Sequence, residues 1–182
     1  MTDTFTLEEL TALARKVDPG SPETIERDGL RFTFGQEYDE TSVMDYVNDM
    51  DCLGKLGWPE PVSRWDPYGQ DRRPDGFTGA ARKFGATPMH GTIWWEPYRD
   101  DTKVYDSPDE VRFMRELLDW GLVAVWVKVE RRESCGHWHE VAHEALWGIE
   151  SPTIGTGNYE YLAEVYDDLI TQALHELKEG AS

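Results

Sequence analysis

Cysteine is almost missing from this chain, with Cys52 and Cys135 the only two in 182 residues. Two thiols build neither a disulfide framework nor a four-cysteine zinc site, and the ordinary expectation is a reduced, cytoplasmic protein. No run approaches the roughly eighteen consecutive apolar residues of a membrane span. The start, Met1-Thr2-Asp3-Thr4-Phe5, has no basic stretch leading into an apolar one, so secretion is not expected either. Basic residues are scarce: 18 Lys and Arg stand against 36 Asp and Glu, a formal charge of −18. Such a surface repels phosphates, which disfavours a direct nucleic-acid binder. Internal repeats and low-complexity tracts are absent. So is a Gly-Lys-Ser/Thr ending after Gly76-Phe77-Thr78-Gly79 and Gly85, and the chain therefore has no phosphate loop.

The acid that is present is unevenly placed. Residues 133–177 hold nine carboxylates and no Lys or Arg, and residues 36–51 hold six with no base. Excess acid keeps a protein dispersed, and faces of one sign also meet partners of the other.

Several elements are signalled directly. Thr6 and Glu9 form a capping box, and Phe5 is placed to staple onto Leu10, so a helix starts at Leu7 and stops at Asp18-Pro19-Gly20-Ser21. Leu30, Phe32 and Phe34 alternate with Arg31 and Thr33 as in a half-buried strand. Val43, Tyr46, Val47, Met50 and Leu53 recur at helical spacing behind Thr41 and Ser42. A strand is expected at Thr92-Ile93-Trp94-Trp95. Ser107-Pro108-Asp109-Glu110 opens a helix that Gly121 ends. The strongest strand follows at residues 122–129, with Val123, Val125, Val127 and Val129 on one face, and residues 131–136 make a turn. A last helix spans about residues 159–177, burying Leu162, Val165, Leu169, Ala173 and Leu177. Residues 54–91, with seven glycines and five prolines, read as one long aromatic loop. The expected fold is α+β: one domain over residues 1–182, a small antiparallel sheet with a central Val-rich hairpin, packed by three to four helices.

One motif names a chemistry. His139-Glu140-Val141-Ala142-His143 is H-E-x-x-H, which on a helix places two imidazoles one turn apart on Zn²⁺ with the glutamate as general base. The flanks oppose a helix: Gly136 precedes the motif, Glu144 follows it directly, and Trp147-Gly148 interrupts a turn later. The same residues make the return arm of a hairpin whose outgoing arm is the valine strand. On a regular strand Cys135, His137, His139 and His143 share one face, where His-x-His can also take a metal.

Cys135-Gly136-His137-Trp138, then Ala145-Leu146-Trp147-Gly148-Ile149-Glu150-Ser151, then Tyr161-Leu162-Ala163-Glu164-Val165 and the acidic helix resemble small uncharacterised acidic proteins of actinobacterial bacteriophages. The resemblance covers about residues 122–178. It implies a strand, a short turn, a second strand ending in the Leu-Trp-Gly-Ile-Glu block, an acidic helix and a phage origin. It brings no catalytic residues, and it implies that the paired histidines are not a feature of that group.

The favoured expectation is a non-enzymatic interaction protein that engages a basic host protein in host takeover or anti-defence, with mimicry of DNA phosphates as one form. Its contact residues are Glu37, Asp39, Glu40, Asp45, Asp49, Glu160, Glu164, Asp167 and Asp168, and no cofactor is needed. One alternative is a zinc hydrolase using His139 and His143 as ligands and Glu140 as base. Another is a module for a small anionic ligand or nucleotide, with Trp58, Trp65, Arg72, Arg73 and Phe77 lining its pocket.

Overall fold

A computed structural model describes residues 4–39, 42–57, 73–87, 91–151, 153 and 157–179. In chain order the elements are α1 (Leu7–Ala14), β1 (Glu23–Arg27), β2 (Leu30–Asp39), α2 (Val43–Asp49), a 3-10 turn (Asp51–Leu53), β3 (Lys55–Gly57), β4 (Arg82–Thr87), β5 (Gly91–Glu96), α3 (Pro108–Trp120), β6 (Leu122–Arg132), β7 (Trp138–Glu150) and α4 (Tyr159–Glu179). The expected α+β class holds, with four helices among the described residues and two antiparallel sheets where one was expected. Contacts divide the chain into two compact units, Met1–Glu40 with Trp120–Ser182, and Thr41–Asp119.

The first unit carries the sheet β1-β2-β6-β7, every neighbouring pair antiparallel. Asp28 (φ 52°) and Gly29 (φ 76°) join β1 to β2. Positive φ at both central residues is the two-residue turn whose twist suits a hairpin. β2 and β6 pair from Leu30↔Arg131 to Asp39↔Leu122. The sheet is thus a meander in chain order, and the second unit is inserted where β2 and β6 would otherwise close a hairpin.

One face of this sheet is the core. Val125, Val127 and Val129 are fully buried with Phe32 and Phe34, as the alternation of β2 and β6 requires. The Phe5 ring meets Phe32 and Phe34 edge-on at 5.1 and 5.7 Å, and Phe34 meets Tyr166 at 5.3 Å. Leu162, Ala163, Val165, Tyr166, Leu169, Ile170 and Ala173 of α4 complete the layer, each large side chain contributing roughly 1.5–3 kcal/mol by leaving water. Burial holds the Tyr166 phenol above its ordinary range as a neutral donor, and its hydroxyl donates to the Gly35 carbonyl at 3.4 Å. α1 begins as expected, with the Thr6 hydroxyl accepting from Glu9 N–H and the Glu9 carboxylate accepting from Thr6 N–H. Arg27 pairs with Glu9 at 2.7 Å, and these contacts lower the Glu9 carboxyl to about 2.

On the opposite face Gly35 is obligatory for packing. A Cβ there would stand 2.1 Å from Trp126 Cζ2, because the indole lies across its cross-strand partner.

β7 is not regular. Its register against β6 shifts between Val123 and Val125 and again between Val129 and Glu130, so each shift sets an extra residue of β7 against its partner, as in a β-bulge. Gly148 (φ 76°) lies in the first, and its N–H donates to Asp39 Oδ2 at 3.0 Å.

The second unit holds the sheet β3-β5-β4. Residues 54–91, expected as loop throughout, hold β3, β4 and the first residue of β5 among the described residues. The edges are short and glycine-bearing, which hid them from periodicity. Asn48 of α2 clasps β3, donating to Leu56 O at 3.1 Å and accepting from Leu56 N–H at 2.9 Å. Trp95 is buried, its indole N–H donating to Leu53 O at 3.0 Å. α3 opens at the expected Ser107-Pro108 start, and the cap is reciprocal: Ser107 N–H donates to Glu110 at 2.6 Å and Glu110 N–H to Ser107 Oγ at 3.3 Å.

Candidate functional site

The H-E-x-x-H residues are strand. Four strand residues separate two Cα atoms by on the order of 10–13 Å, whereas ligands of one zinc lie about 2.1 Å from it. The bulge then undoes the shared face expected of a regular strand. Val129 faces Ala142 and Lys128 faces His143, but Glu130 faces Glu140 and Arg131 faces His139. Across the unbroken β6 these partners alternate, so Val141 is the inserted residue and His139 and His143 fall on opposite faces of the sheet. That corrects the placement of Cys135, His137, His139 and His143 on one face. His143 packs edge-on against Trp126 at 5.6 Å. Glu140 is exposed, opposite a Glu130 that is held by Arg31 at 2.7 Å. Among the described residues no three His, Cys, Asp or Glu side chains are grouped to hold a metal ion.

The acidic residues divide. Glu160, Glu164 and Asp168 recur every fourth residue along α4, about 6 Å apart along the axis, and all three are exposed. Asp167 stands beside them, half-buried. Glu164, Asp167 and Asp168 come together with Phe5 and Leu7 around a groove of about 340 Å³. Its floor is apolar, with Phe5 buried and Leu7 43% exposed, and its wall is carboxylate. Next to it the Arg27 guanidinium lies 4.3 Å from the Phe5 ring centroid while pairing with Glu9, so an aromatic face and a carboxylate already hold one cation at this end of the unit. Glu37 and Asp39 lie at the end of β2, where Asp39 is engaged with Gly148. Asp45 and Asp49 are exposed on α2 in the other unit, and Glu40 lies outside the described residues.

No family model, curated protein or solved structure matches this chain. The site therefore rests on its own geometry.

Of the residues named for a small anionic ligand, Trp58, Trp65 and Arg72 lie outside the described residues. Arg73 donates to Thr78 O at 2.9 Å. Phe77 is buried, with Lys55 Nζ 4.7 Å from its ring centroid and its edge where a Cβ on Gly57 would stand. Of the two residues that are described, Phe77 packs inside the second unit and Arg73 is exposed.

Sequence reasoning missed two features. The groove floor comes from Phe5 and Leu7, far from α4 in sequence, and no local pattern announces it. Glu144 of β7 and Glu176 of α4 line one groove, and burial together with that neighbour raises the Glu144 carboxyl above its ordinary value. The lack of Lys and Arg through this region was the available signal. Among the described residues no helix is long and apolar enough to cross a membrane.

Proposed function

We propose that this chain is a non-enzymatic interaction protein that binds a basic face of another protein through the acidic side of α4. The observation that carries this is the groove of Phe5, Leu7, Glu164, Asp167 and Asp168. A lysine or arginine side chain is an apolar stem ending in a cation, and an apolar floor with a carboxylate wall matches both parts. Like charges at i,i+4 cost a helix roughly 0.2–0.5 kcal/mol per pair. Glu160, Glu164 and Asp168 accept that cost twice, and a bound cation removes it.

Charge density selects among basic partners. Glu160, Glu164, Asp167, Asp168, Glu176 and Glu179 lie on a helix of 21 residues, about 31 Å long, hence one charge per about 5 Å. Duplex DNA carries one per about 1.7 Å. The helix by itself therefore suits an ordinary basic protein face better than a groove built for DNA. With the resemblance to phage proteins, the partner is a host protein and the setting host takeover or anti-defence.

Capture of partners at low salt by the wild-type chain and by Glu164→Gln/Asp167→Asn/Asp168→Asn tests this. The triple variant is expected to lose partners that the wild type also releases at high salt. Equal retention by both proteins would sink the proposal.

A further inference from the structure

We propose that the outer edge of β7 is a strand-addition site for an extended partner segment carrying a lysine or arginine beside an apolar side chain. This rests on the basic-partner reading for the class of partner and places a second, separate surface on the same unit.

β1 and β7 are the edges of the four-stranded sheet, with 5 and 13 residues. Between its two bulges β7 runs in regular register, from Ala142 opposite Val129 to Leu146 opposite Val125. Alternate residues of an edge strand direct N–H and C=O away from the sheet, a template for one more antiparallel or parallel strand. The bulges limit that template to residues 142–146 rather than abolish it. At one end of it Leu146 and Trp147 are 43% and 55% exposed, apolar surface that an added strand would cover.

Alongside the same stretch lies a groove of about 390 Å³, lined by Glu144 of β7 and Thr171, Gln172, His175 and Glu176 of α4. Two carboxyls meet there. Of the histidines beside them, His143 on β7 is turned to the opposite face against Trp126, and His175 lies 3.9 Å from Glu179. Burial, and then the Glu176 carboxylate, raise Glu144 above its ordinary value, and a cation beside the pair would relieve the second of these. Side chains of an added strand alternate between the two faces of the sheet. Those on the helix side of a segment beside Glu144 would therefore enter this groove.

A second copy of this chain is the poorer occupant. Antiparallel self-pairing centred on residues 142–146 would set Glu144 of one copy against Glu144 of the other, with a charge of −18 on both partners, and like charges across strands are destabilising.

The test uses the full chain and a short synthetic peptide alternating valine and threonine around one central lysine. Amide shifts and exchange protection are expected at residues 142–147. Replacing the lysine by glutamate should weaken binding about tenfold or more, the loss of one charge-assisted pair. N-methylation of the peptide amides that face β7 should abolish binding, while N-methylation of the alternate set should leave it intact. Glu144→Gln/Glu176→Gln should weaken the lysine peptide, and Glu164→Gln/Asp167→Asn/Asp168→Asn should not. Equal binding of both N-methylated peptides, shifts confined to residues 160–168, no binding of the lysine peptide, or self-association through residues 142–147 would each overturn the proposal. Shifts confined to 160–168 would leave the α4 surface standing. Its own failure is read separately, from partner capture.

Discussion

Glu144 illustrates how a single side chain can work against the fold that holds it. Burial and Glu176 raise its carboxyl above its ordinary value, so the folded state binds its proton more tightly than the unfolded chain. Its contribution is then most favourable at low pH and is lost as pH rises through the folded-state value. Glu144→Gln, which keeps shape and hydrogen bonding without charge, should raise the Tm at neutral pH, and the gain should close as pH falls below about 4. Thermal unfolding followed across pH checks this, and an equal Tm difference at both ends would show that the pair is not strained. Glu9 behaves oppositely. Arg27 and the Thr6 N–H lower it to about 2, so its stabilisation is present at neutral pH and lost on acidification through that value. Gly35 is a residue whose reason is entirely a neighbour: without a side chain it admits Trp126 across the sheet.

Among the elements, β7 departs furthest from what local pattern can express. A bulge exists only by comparison with the strand opposite, where two residues face one. The side-chain sequence around Val141 therefore gives no notice that His139 and His143 are parted. The consequence can be measured. Metal analysis of the purified wild type, His139→Ala and His143→Ala is expected to give the same zinc content for all three, and a stoichiometric zinc lost on either substitution would contradict this geometry. Capping, by contrast, is local. Thr6 with Glu9 was legible because donor and acceptor lie three residues apart, and it closes as expected; Ser107 and Glu110, at the same spacing, close likewise at the expected helix start. β1 went unread because Glu23-Thr24-Ile25-Glu26-Arg27 has a single apolar residue, although Asp28-Gly29 after it is a strong hairpin signal. β3 and β4 disappear among glycines and prolines for a similar reason.

At the scale of the molecule, strand register fixes the point in the chain at which the second unit is inserted. Asp39 and Leu122 are opposite each other in the β2–β6 ladder, so the chain leaves and re-enters the first unit at neighbouring points, the arrangement in which domain insertions are tolerated. Replacing residues 41–119 by Asn-Gly should leave a folded first unit with the α4 groove intact. Retained amide protection in the valine strand, together with a cooperative thermal transition, would be the expected result, and a chain without either would show that the first unit depends on the insertion. The same charge excess that disfavours nucleic acid would steer the basic partner proposed above, with a rate that falls as salt rises.

By itself the sequence determined the α+β class, the valine strand, the buried stripe of α4, the Thr6–Glu9 capping box, the Ser107 helix start and the acidic faces, since each depends on periodicity or on contacts a few residues apart. Only the tertiary structure decided what those faces enclose. Phe5 and Leu7 meet Glu164, Asp167 and Asp168 because α1 and α4 pack on the same sheet face. Glu144 meets Glu176 because α4 passes beside an edge strand. His139 is separated from His143 because β6 keeps its register while β7 takes in an extra residue. Each of these depends on residues far apart in the chain, and no local pattern carries that information.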